Sequence, residues 1–307
     1  MAQFKGQEGH WITTKDGRHL FISEDLVDKQ EREIKEQQKL TAELNAQHNN
    51  VPTTKPATPK VDYSKLGSRD AAVSQFEKDT GVKVMFDHND DKLCTKTNLY
   101  MVLNQIAEMK QKYPTQLRFL KGITTYHETP NMLGGVSMAS ANPNYLNLND
   151  YIFSKHNPQV ESLYSQSTSG SRNYHPKGTT AKDIITHELG HVMFFEHIGR
   201  MNRRLTKHDP IDLYDVTVWT SQDQGGVGTT SKYIKNEMDK ALTTALGTAP
   251  QHNILGYANP KFKHPTAISG YAASSPHELM AEAVADYVAN GDKASPLSKE
   301  LVKILHM

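Results

Sequence analysis

The sequence feature that most constrains this chain is the pentapeptide His187-Glu188-Leu189-Gly190-His191, which lies in a stretch with helical apolar periodicity. An α-helix completes a turn in about 3.6 residues, so His187 and His191 fall on one face. Two imidazoles one turn apart can occupy two positions of a tetrahedral zinc site. Glu188 falls one residue further round the helix, where it can act on water without binding the metal. The pentapeptide therefore predicts a helix that carries part of a metal site.

The flanking residues predict where this helix begins and ends. Thr180 is a predicted N-cap, and Asp183, three residues later, gives a variant of the capping box. Gly199 predicts the helix end, because glycine readily adopts the left-handed conformation found there. Gly190 costs about 1 kcal/mol of helix propensity relative to alanine. Either a neighbouring element packs closely against Gly190, or the glycine keeps backbone room near a metal.

Composition restricts the class of protein. The 307 residues allow one large domain with appendages, or two domains. A hydrophobic content of 36% and a mean hydropathy of −0.64 predict that part of the chain is extended or heavily solvated. The net charge of +1, without a basic block, argues against nucleic-acid binding. The single cysteine, Cys94, excludes an intrachain disulfide framework.

The order of patterns along the chain predicts three parts and an α+β fold. Residues 1–23 contain a predicted β-hairpin with Asp16-Gly17 at its turn. Residues 24–63 comprise a charged, exposed helix and a Pro/Thr linker. Residues 64–307 form the main domain, in which strands precede the helix of the pentapeptide. We predict helices at 68–81, 95–113 and 231–246, and strands at 82–86, 117–126, 136–139 and 145–148.

No segment of the sequence predicts export or membrane insertion. Residues 1–9 lack the apolar region of a secretory signal peptide. The chain also lacks a run of about 18 apolar residues, which a membrane-spanning helix requires. A cytoplasmic setting is compatible with these features and with the single cysteine.

A catalytic zinc site requires a third protein ligand, and the nearest candidate is His197. It lies six residues after His191, the offset found in the metzincin pattern HExxHxxGxxH, but Phe194 stands where that pattern has glycine. If the helix continues, His197 lies about 15 Å along the axis from His187 and cannot share its metal. We therefore predict that His197 is a cation near the helix C-terminus.

The other candidates, Glu278 and Glu282, lie one turn apart in a second predicted helix that starts at Ser275-Pro276. Either carboxylate can complete the metal site from this helix. Ser275-x-x-Glu278 is also a capping box, in which the Glu278 side chain would bond to its own helix start. Binding to a metal and capping the helix are alternatives for Glu278, because one side chain cannot do both.

The two helices together resemble gluzincin-type zinc metallopeptidases, in particular anthrax-lethal-factor-like and phage-encoded zincin domains. The matching residues are the HExxH pentapeptide and Tyr271, followed seven residues later by Glu278-Leu-Met-Ala-Glu282-Ala. The resemblance implies a zincin-like fold, with a mixed sheet packed on the HExxH helix and a helical part after it. It implies that Glu278 is the third ligand, that Glu282 orients a ligating histidine, and that Tyr271 hydrogen-bonds the oxyanion.

The activity implied by this resemblance is peptide-bond hydrolysis by an endopeptidase. Zn²⁺ would be held by His187, His191 and Glu278, and Glu188 would be the general base. A protein or peptide substrate would pair with a sheet edge that we place within residues 135–149. The insert 192–277 is longer than in compact gluzincins and is a candidate wall or lid of the cleft.

The N-terminal segment carries a second resemblance. Gly-x-Trp-Ile-Thr at 9–13 and Gly-x-His at 17–19 resemble a short element of bacteriophage minor head proteins. This implies a phage-particle or host-protein partner, and a location in the cytoplasm, on the particle or in a host after delivery. The alternative functions are a phage or mobile-element assembly protein with an inert zincin domain, and an effector peptidase delivered into a host.

Overall fold

The computed structural model describes two units of the chain, Met1–Lys60 and Val61–Met307. In the first unit it describes the backbone of residues 2–4, 7–13 and 19–23. In the second unit it describes residues 61–129, 137–154, 164, 174–206, 228–247 and 268–307, with side chains except at Thr206, 228–232 and Ala273. The predicted charged helix, the Pro/Thr linker and the Asp16-Gly17 turn lie outside these ranges.

The N-terminal unit contains a three-stranded antiparallel sheet. Its strands are β1 (Ala2–Phe4), β2 (Gln7–Thr13) and β3 (His19–Ser23), in the order β1-β2-β3. β2 and β3 pair where the sequence predicts a hairpin, with Gly9 opposite Ser23 and Thr13 opposite His19. β1 adds a strand that the sequence patterns do not predict.

In its described residues, the main unit mixes helices with one small sheet. Its helices are α1 (Arg69–Thr80), α2 (Lys96–Lys112), α3 (Asp150–Phe153), α4 (Lys182–Thr206), α5 (Gly228–Leu246), α6 (Pro276–Asn290) and α7 (Pro296–Ile304). Its strands are β4 (Lys83–Val84), β5 (Gly122–Tyr126), β6 (Ala139–Ala141) and β7 (Tyr145–Asn149). Short 3₁₀ turns lie at Tyr63–Lys65, Tyr271–Ala273 and Gly291–Lys293. This content confirms the α+β class.

The sheet of the main unit has the order β4-β5-β7-β6. β4, β5 and β7 run parallel, whereas β6 lies at the edge and pairs antiparallel with β7. The tight bend between β6 and β7 forms because Asn142 Oδ1 accepts hydrogen bonds from the backbone N–H groups of Asn144 and Tyr145, both at 2.9 Å. The edge strand therefore lies within the segment 135–149, where the sequence places it.

Local signals position the first two helices. Ser68 Oγ accepts from the backbone N–H of Ala71, and Gly81 ends α1 with a left-handed φ of 70°. Thr95 caps α2 in the same way, through the N–H of Asn98. The predicted starts of α1 and α2 and the predicted end of α1 are therefore confirmed, because each depends on residues within three positions of that end.

Several predicted boundaries are wrong. The strand predicted at 82–86 covers only Lys83–Val84, and the strand predicted at 136–139 is Ala139–Ala141. The strand predicted at 117–126 begins only at Gly122, because the apolar residues Leu117 and Leu120 are buried within turns instead. Gly199 does not end the HExxH helix, which continues to Thr206. Ile198, one residue before Gly199, and Met201, two residues after it, are fully buried, so tertiary packing sustains the helix across a residue that favours its end.

α4 packs directly against α6 in the core, and this packing positions the candidate site. Gly190 faces α6 so closely that an added Cβ would lie 2.9 Å from Ala281 Cα. The glycine therefore allows the two backbones to approach, which is the packing role proposed for it from the sequence. α6 packs in turn against α7, and α7 packs against α5. No helix among the described ranges has the length and apolar content needed to cross a membrane.

Candidate metal centre

The start of α4 is fixed by Asp183. Its Oδ2 accepts from the backbone N–H of Thr180 at 2.8 Å and from the Thr180 hydroxyl at 3.1 Å. Asp183 is 1% exposed, and burial raises the pKa of its carboxyl group. On the next turn, Thr186 accepts from Gln105 Nε2 of α2 at 2.8 Å. These contacts fix the rotation of the helix that carries the histidines.

Three ligand atoms converge between α4 and α6. His187 Nε2 lies 3.2 Å from His191 Nε2, and Glu278 Oε2 lies 3.0 Å and 3.3 Å from these two nitrogens. Zinc bonds of about 2.0–2.1 Å with tetrahedral angles would place ligand atoms about 3.3 Å apart. The three atoms therefore have nearly the spacing of one face of a zinc tetrahedron, and they form the group that can hold a metal.

The alignment of these atoms also fits a metal ion. Glu278 Oε2 is buried and lacks an aligned hydrogen bond among the described residues, although two imidazole nitrogens lie close to it. A ligand atom that faces a common centre can lie near the other ligand atoms without being aligned on them, as Glu278 Oε2 does here, whereas the two Nε2 atoms are within hydrogen-bond distance of each other. The Glu278 carboxylate does not cap its own helix, although its backbone N–H donates to Ser275 Oγ at 3.2 Å. Only half of the capping box forms, and the carboxylate is directed to the histidines.

The electrostatics of the centre favour a cation. Burial raises the pKa of Glu278, but its contacts with His187 and His191 outweigh burial and hold the pKa well below its usual range. Burial lowers the pKa of His187, but Glu278 and Glu282 outweigh it and hold that pKa well above its usual range. Both shifts mean that positive charge is stabilised between the carboxylates. A divalent metal ion with this donor set therefore fits the residues present.

Glu282 lies behind the ligands rather than among them. Its Oε1 is 2.7 Å from His187 Nδ1, the ring nitrogen that faces away from the converging atoms. The same oxygen accepts a hydrogen bond from His175 Nδ1 at 3.0 Å. Glu282 is completely buried. The structure thus brings Glu278 to the Nε2 atoms and Glu282 to the opposite side of the His187 ring.

Glu188 lies at the wall of a cleft that His187 also lines. Met138 and Ala139, at the start of the edge strand β6, also line this cleft, and Tyr174 and Tyr271 line it as well. The Glu188 side chain is 7% exposed, and burial raises the pKa of its carboxyl group. A carboxyl group with a raised pKa is suited to exchange protons with water near neutral pH.

Tyr271 packs on the centre through its ring and its hydroxyl group. The ring stacks on the ring of His187, with centroids 5.8 Å apart and 24° between the ring planes. It also stacks on the ring of Tyr174, with centroids 5.1 Å apart and 18° between the planes. Burial, followed by the nearby Glu278 and Glu188, raises the pKa of the phenol, so it keeps its proton. Interaction of the hydroxyl group with the Glu278 carboxylate contributes to this raised pKa. Tyr271 is therefore a hydrogen-bond donor beside the candidate metal ligands.

Sequence reasoning did not identify Tyr174 and His175, which both line the cleft. Both lie in a Gly-, Ser- and Pro-rich segment that predicts only a loop. His175 meets Glu282, which is 107 positions further along the chain. No periodicity connects residues so far apart, so the sequence held only one signal, a histidine shortly before the N-cap of a metal-site helix.

Two other histidines near the motif lie outside the group of three. His277 adjoins Glu278, but its ring packs against Phe194 and Phe195, both with ring centroids 5.2 Å away, and burial lowers its pKa to about 3. His197 lies 2.8 Å from Glu237 of α5. Its predicted place near the C-terminus of α4 is wrong, because the helix runs on to Thr206.

Comparison of the chain with protein families, curated proteins and solved structures finds no match. The chain's own residues therefore carry every inference about its function. Of the insert 192–277, the structure describes the end of α4, α5 and residues 268–277. The remaining parts, which the sequence suggests as a lid, lie outside the described ranges.

Proposed function

We propose that this chain is a zinc-dependent endopeptidase of gluzincin type. The observation that carries the proposal is the convergence of His187 Nε2, His191 Nε2 and Glu278 Oε2, with His187 and Glu188 lining a cleft. Two imidazoles and one carboxylate are a donor set of catalytic zinc sites, which keep a further position open. The resemblance of both helices to gluzincins supports the same assignment.

A zincin-like fold is part of this proposal. In its favour are the mixed sheet with an antiparallel edge strand beside the cleft, and the ligands carried on two helices that pack together. α4 supplies the two histidines and Glu188, and α6 supplies Glu278 and Glu282. The sheet precedes these helices in the chain, as the resemblance implies.

Each residue of the site has a role in peptide hydrolysis. Zinc, when bound, supplies Lewis acidity towards the scissile carbonyl and makes water a stronger nucleophile near neutral pH. Glu188 accepts a proton from the attacking water and later passes it to the amine leaving group. Tyr271, which keeps its proton, donates a hydrogen bond to the developing oxyanion. Glu282 holds the ring of His187 through Nδ1.

The edge strand suggests how a substrate is bound. β6 pairs with β7 on one side only in the described sheet, and Met138 and Ala139 at its start line the cleft. An extended peptide can pair with such an edge through main-chain hydrogen bonds, which depend little on sequence. The substrate class is therefore a peptide or an unfolded protein segment that reaches the cleft in extended form.

Metal analysis of the purified chain, combined with Glu188→Gln, tests the proposal. We expect one zinc per chain in both proteins, with Glu278→Ala as the variant that loses the metal. In a peptide-library cleavage assay with and without a chelator, Glu188→Gln should lower the rate about a thousandfold, as expected for the loss of a general base. A stable wild-type chain that binds no zinc, or a Glu188→Gln variant with the wild-type rate, would contradict the proposal.

A further inference from the structure

Glu282 is a buried carboxylate whose hydrogen-bond donors reach only one of its two oxygens. The side chain is 0% exposed. Oε1 lies 2.7 Å from His187 Nδ1 and 3.0 Å from His175 Nδ1, whereas Oε2 has no hydrogen-bond partner among the described residues. A buried ionised group is costly unless it is paired and hydrogen-bonded. Two imidazole N–H groups on one oxygen therefore provide most of what keeps this carboxylate in place.

The contacts of His175 and His187 with Glu282 Oε1 differ in how directly the N–H group points at the oxygen. His175 makes a hydrogen bond to Oε1, whereas the N–H of His187 comes closer but is not aligned on that oxygen. Glu282 Oε1 is the acceptor atom that both Nδ1 atoms face. The directed bond that anchors Glu282 thus comes from a residue that is not one of the three converging ligands.

His175 is itself held firmly. Its ring stacks on the ring of Tyr164, with the ring centroids 4.8 Å apart and an angle of 15° between the ring planes. The Tyr164 hydroxyl donates to Thr179 Oγ1 at 2.8 Å. The backbone on either side of His175 is tied to the α6 region. The Tyr174 carbonyl accepts from the N–H of Tyr271 at 3.3 Å, and the carbonyl of Lys177, in the same segment, accepts from an α6 side-chain amide at 2.8 Å. A ring held in place by these contacts can set the orientation of the carboxylate to which it hydrogen-bonds.

We propose that His175 is a positioning residue of the metal centre, which holds Glu282 in the orientation that fixes the ring of His187. This inference rests on the proposed zinc site. A carboxylate that receives the other N–H of a ligating histidine fixes its tautomer and direction, and loss of such a partner weakens metal binding about 10- to 100-fold. His175 hydrogen-bonds to Glu282 and not to the ligating histidine itself, so its removal should weaken metal binding by about tenfold, the lower end of that range.

The test compares zinc affinity of the full-length chain and its variants in competition with a chromophoric chelator. We expect His175→Phe, which removes the hydrogen bond but keeps a ring beside Tyr164, to weaken zinc binding about tenfold. His175→Asn keeps an N–H near the position of Nδ1 and should remain within about threefold of wild type. His88→Phe is the matched control, because it also removes a histidine–carboxylate contact. His88, in the loop before α2, lies 2.9 Å from Asp70 of α1. This substitution should leave zinc affinity unchanged.

The absorption spectrum of the cobalt-substituted chain gives a readout that general loss of packing does not produce. We expect the ligand-field bands to shift in His175→Phe and to match wild type in His175→Asn and His88→Phe. If His175→Phe fails to fold, His175→Gln replaces it, because its N–H lies nearer to the position of Nε2. Equal affinity and equal spectra for Asn and Gln would then overturn the inference.

Failure of the inference can be told from failure of the proposed function. If wild type binds one zinc and folded His175→Phe matches it in affinity and in cobalt spectrum, His175 has no positioning role. If wild type binds no zinc, the proposed peptidase fails first, and the inference falls with it. Loss of affinity in His175→Phe with recovery in His175→Asn supports both.

Discussion

The helix α4 carries two buried clusters of histidine and glutamate, two turns apart, which differ in what balances their charge. In the first cluster, His187 and His191 meet Glu278 and Glu282, and the described ion pairs join only histidines to glutamates. In the second cluster, Glu196 lies 2.9 Å from Arg118 and 3.7 Å from Arg200. Similar residue types on one helix therefore form two different kinds of site.

The difference lies in arginine, which balances the negative charge of the second cluster. In the second cluster, Arg200 Nη2 donates to His197 Nδ1 at 3.1 Å, and His197 Nε2 lies 2.8 Å from Glu237. Both ring nitrogens are thus occupied, and permanent guanidinium charges balance the carboxylates. In the first cluster, by contrast, two Nε2 atoms and a carboxylate oxygen point to a common centre. Carboxylates without an arginine partner among the described ion pairs, together with converging donors, are the arrangement that favours a metal ion.

The largest expected effect comes from the same substitution made in both clusters. His187→Ala should lower bound zinc from one per chain to none, because a catalytic site does not keep its metal with two protein ligands. His197→Ala should keep one zinc per chain and lower only the free energy of unfolding. Metal analysis together with thermal unfolding of both variants measures this contrast. Equal zinc content in the two variants would remove the distinction between the clusters.

A smaller effect is expected when the positive charge of the second cluster is removed. Arg200→Met keeps much of the side-chain volume but leaves Glu196, which is 1% exposed, with Arg118 as its remaining arginine. We expect a loss of about 2 kcal/mol in the free energy of unfolding, below the cost of stripping a buried charge of all its partners. Urea denaturation measures this loss, and zinc content should not change. A more stable variant would show that arginine is not what the second cluster requires.

The smallest effect is expected at the helix contact that sets the distance between the histidines and Glu278. Gly190→Ala gains about 1 kcal/mol of helix propensity, but its Cβ would lie 2.9 Å from Ala281 Cα and force α4 and α6 apart. We expect a net loss of about 1 kcal/mol in stability and a severalfold weaker zinc affinity. Gly199→Ala, in the same helix, is the matched control. If both alanine variants bind zinc as tightly as wild type, the close approach at Gly190 does not set the site geometry.

Parts of the fold that depend on neighbouring residues follow from the sequence. The caps at Ser68 and Thr95 and the bend at Asn142 each arise from a side chain bonded within three residues. They lie at the starts of the helices predicted at 68–81 and 95–113, and between the strands predicted at 136–139 and 145–148. The patterns fail where burial decides the structure. The helix crosses Gly199, and Leu117 is buried in a turn rather than a strand, because long-range packing outweighs local preference at both places.

The sequence by itself determines that His187 and His191 share a face of α4, because the repeat of a helix is a local property of the backbone. It also supplies two carboxylates, Glu278 and Glu282, one turn apart on a second helix. Only the tertiary structure decides which of them meets the histidine Nε2 atoms, because that depends on how α6 packs against Gly190. The place of His175 behind Glu282 is likewise a result of packing, since hydrogen bonds between distant segments leave no periodic trace in the chain.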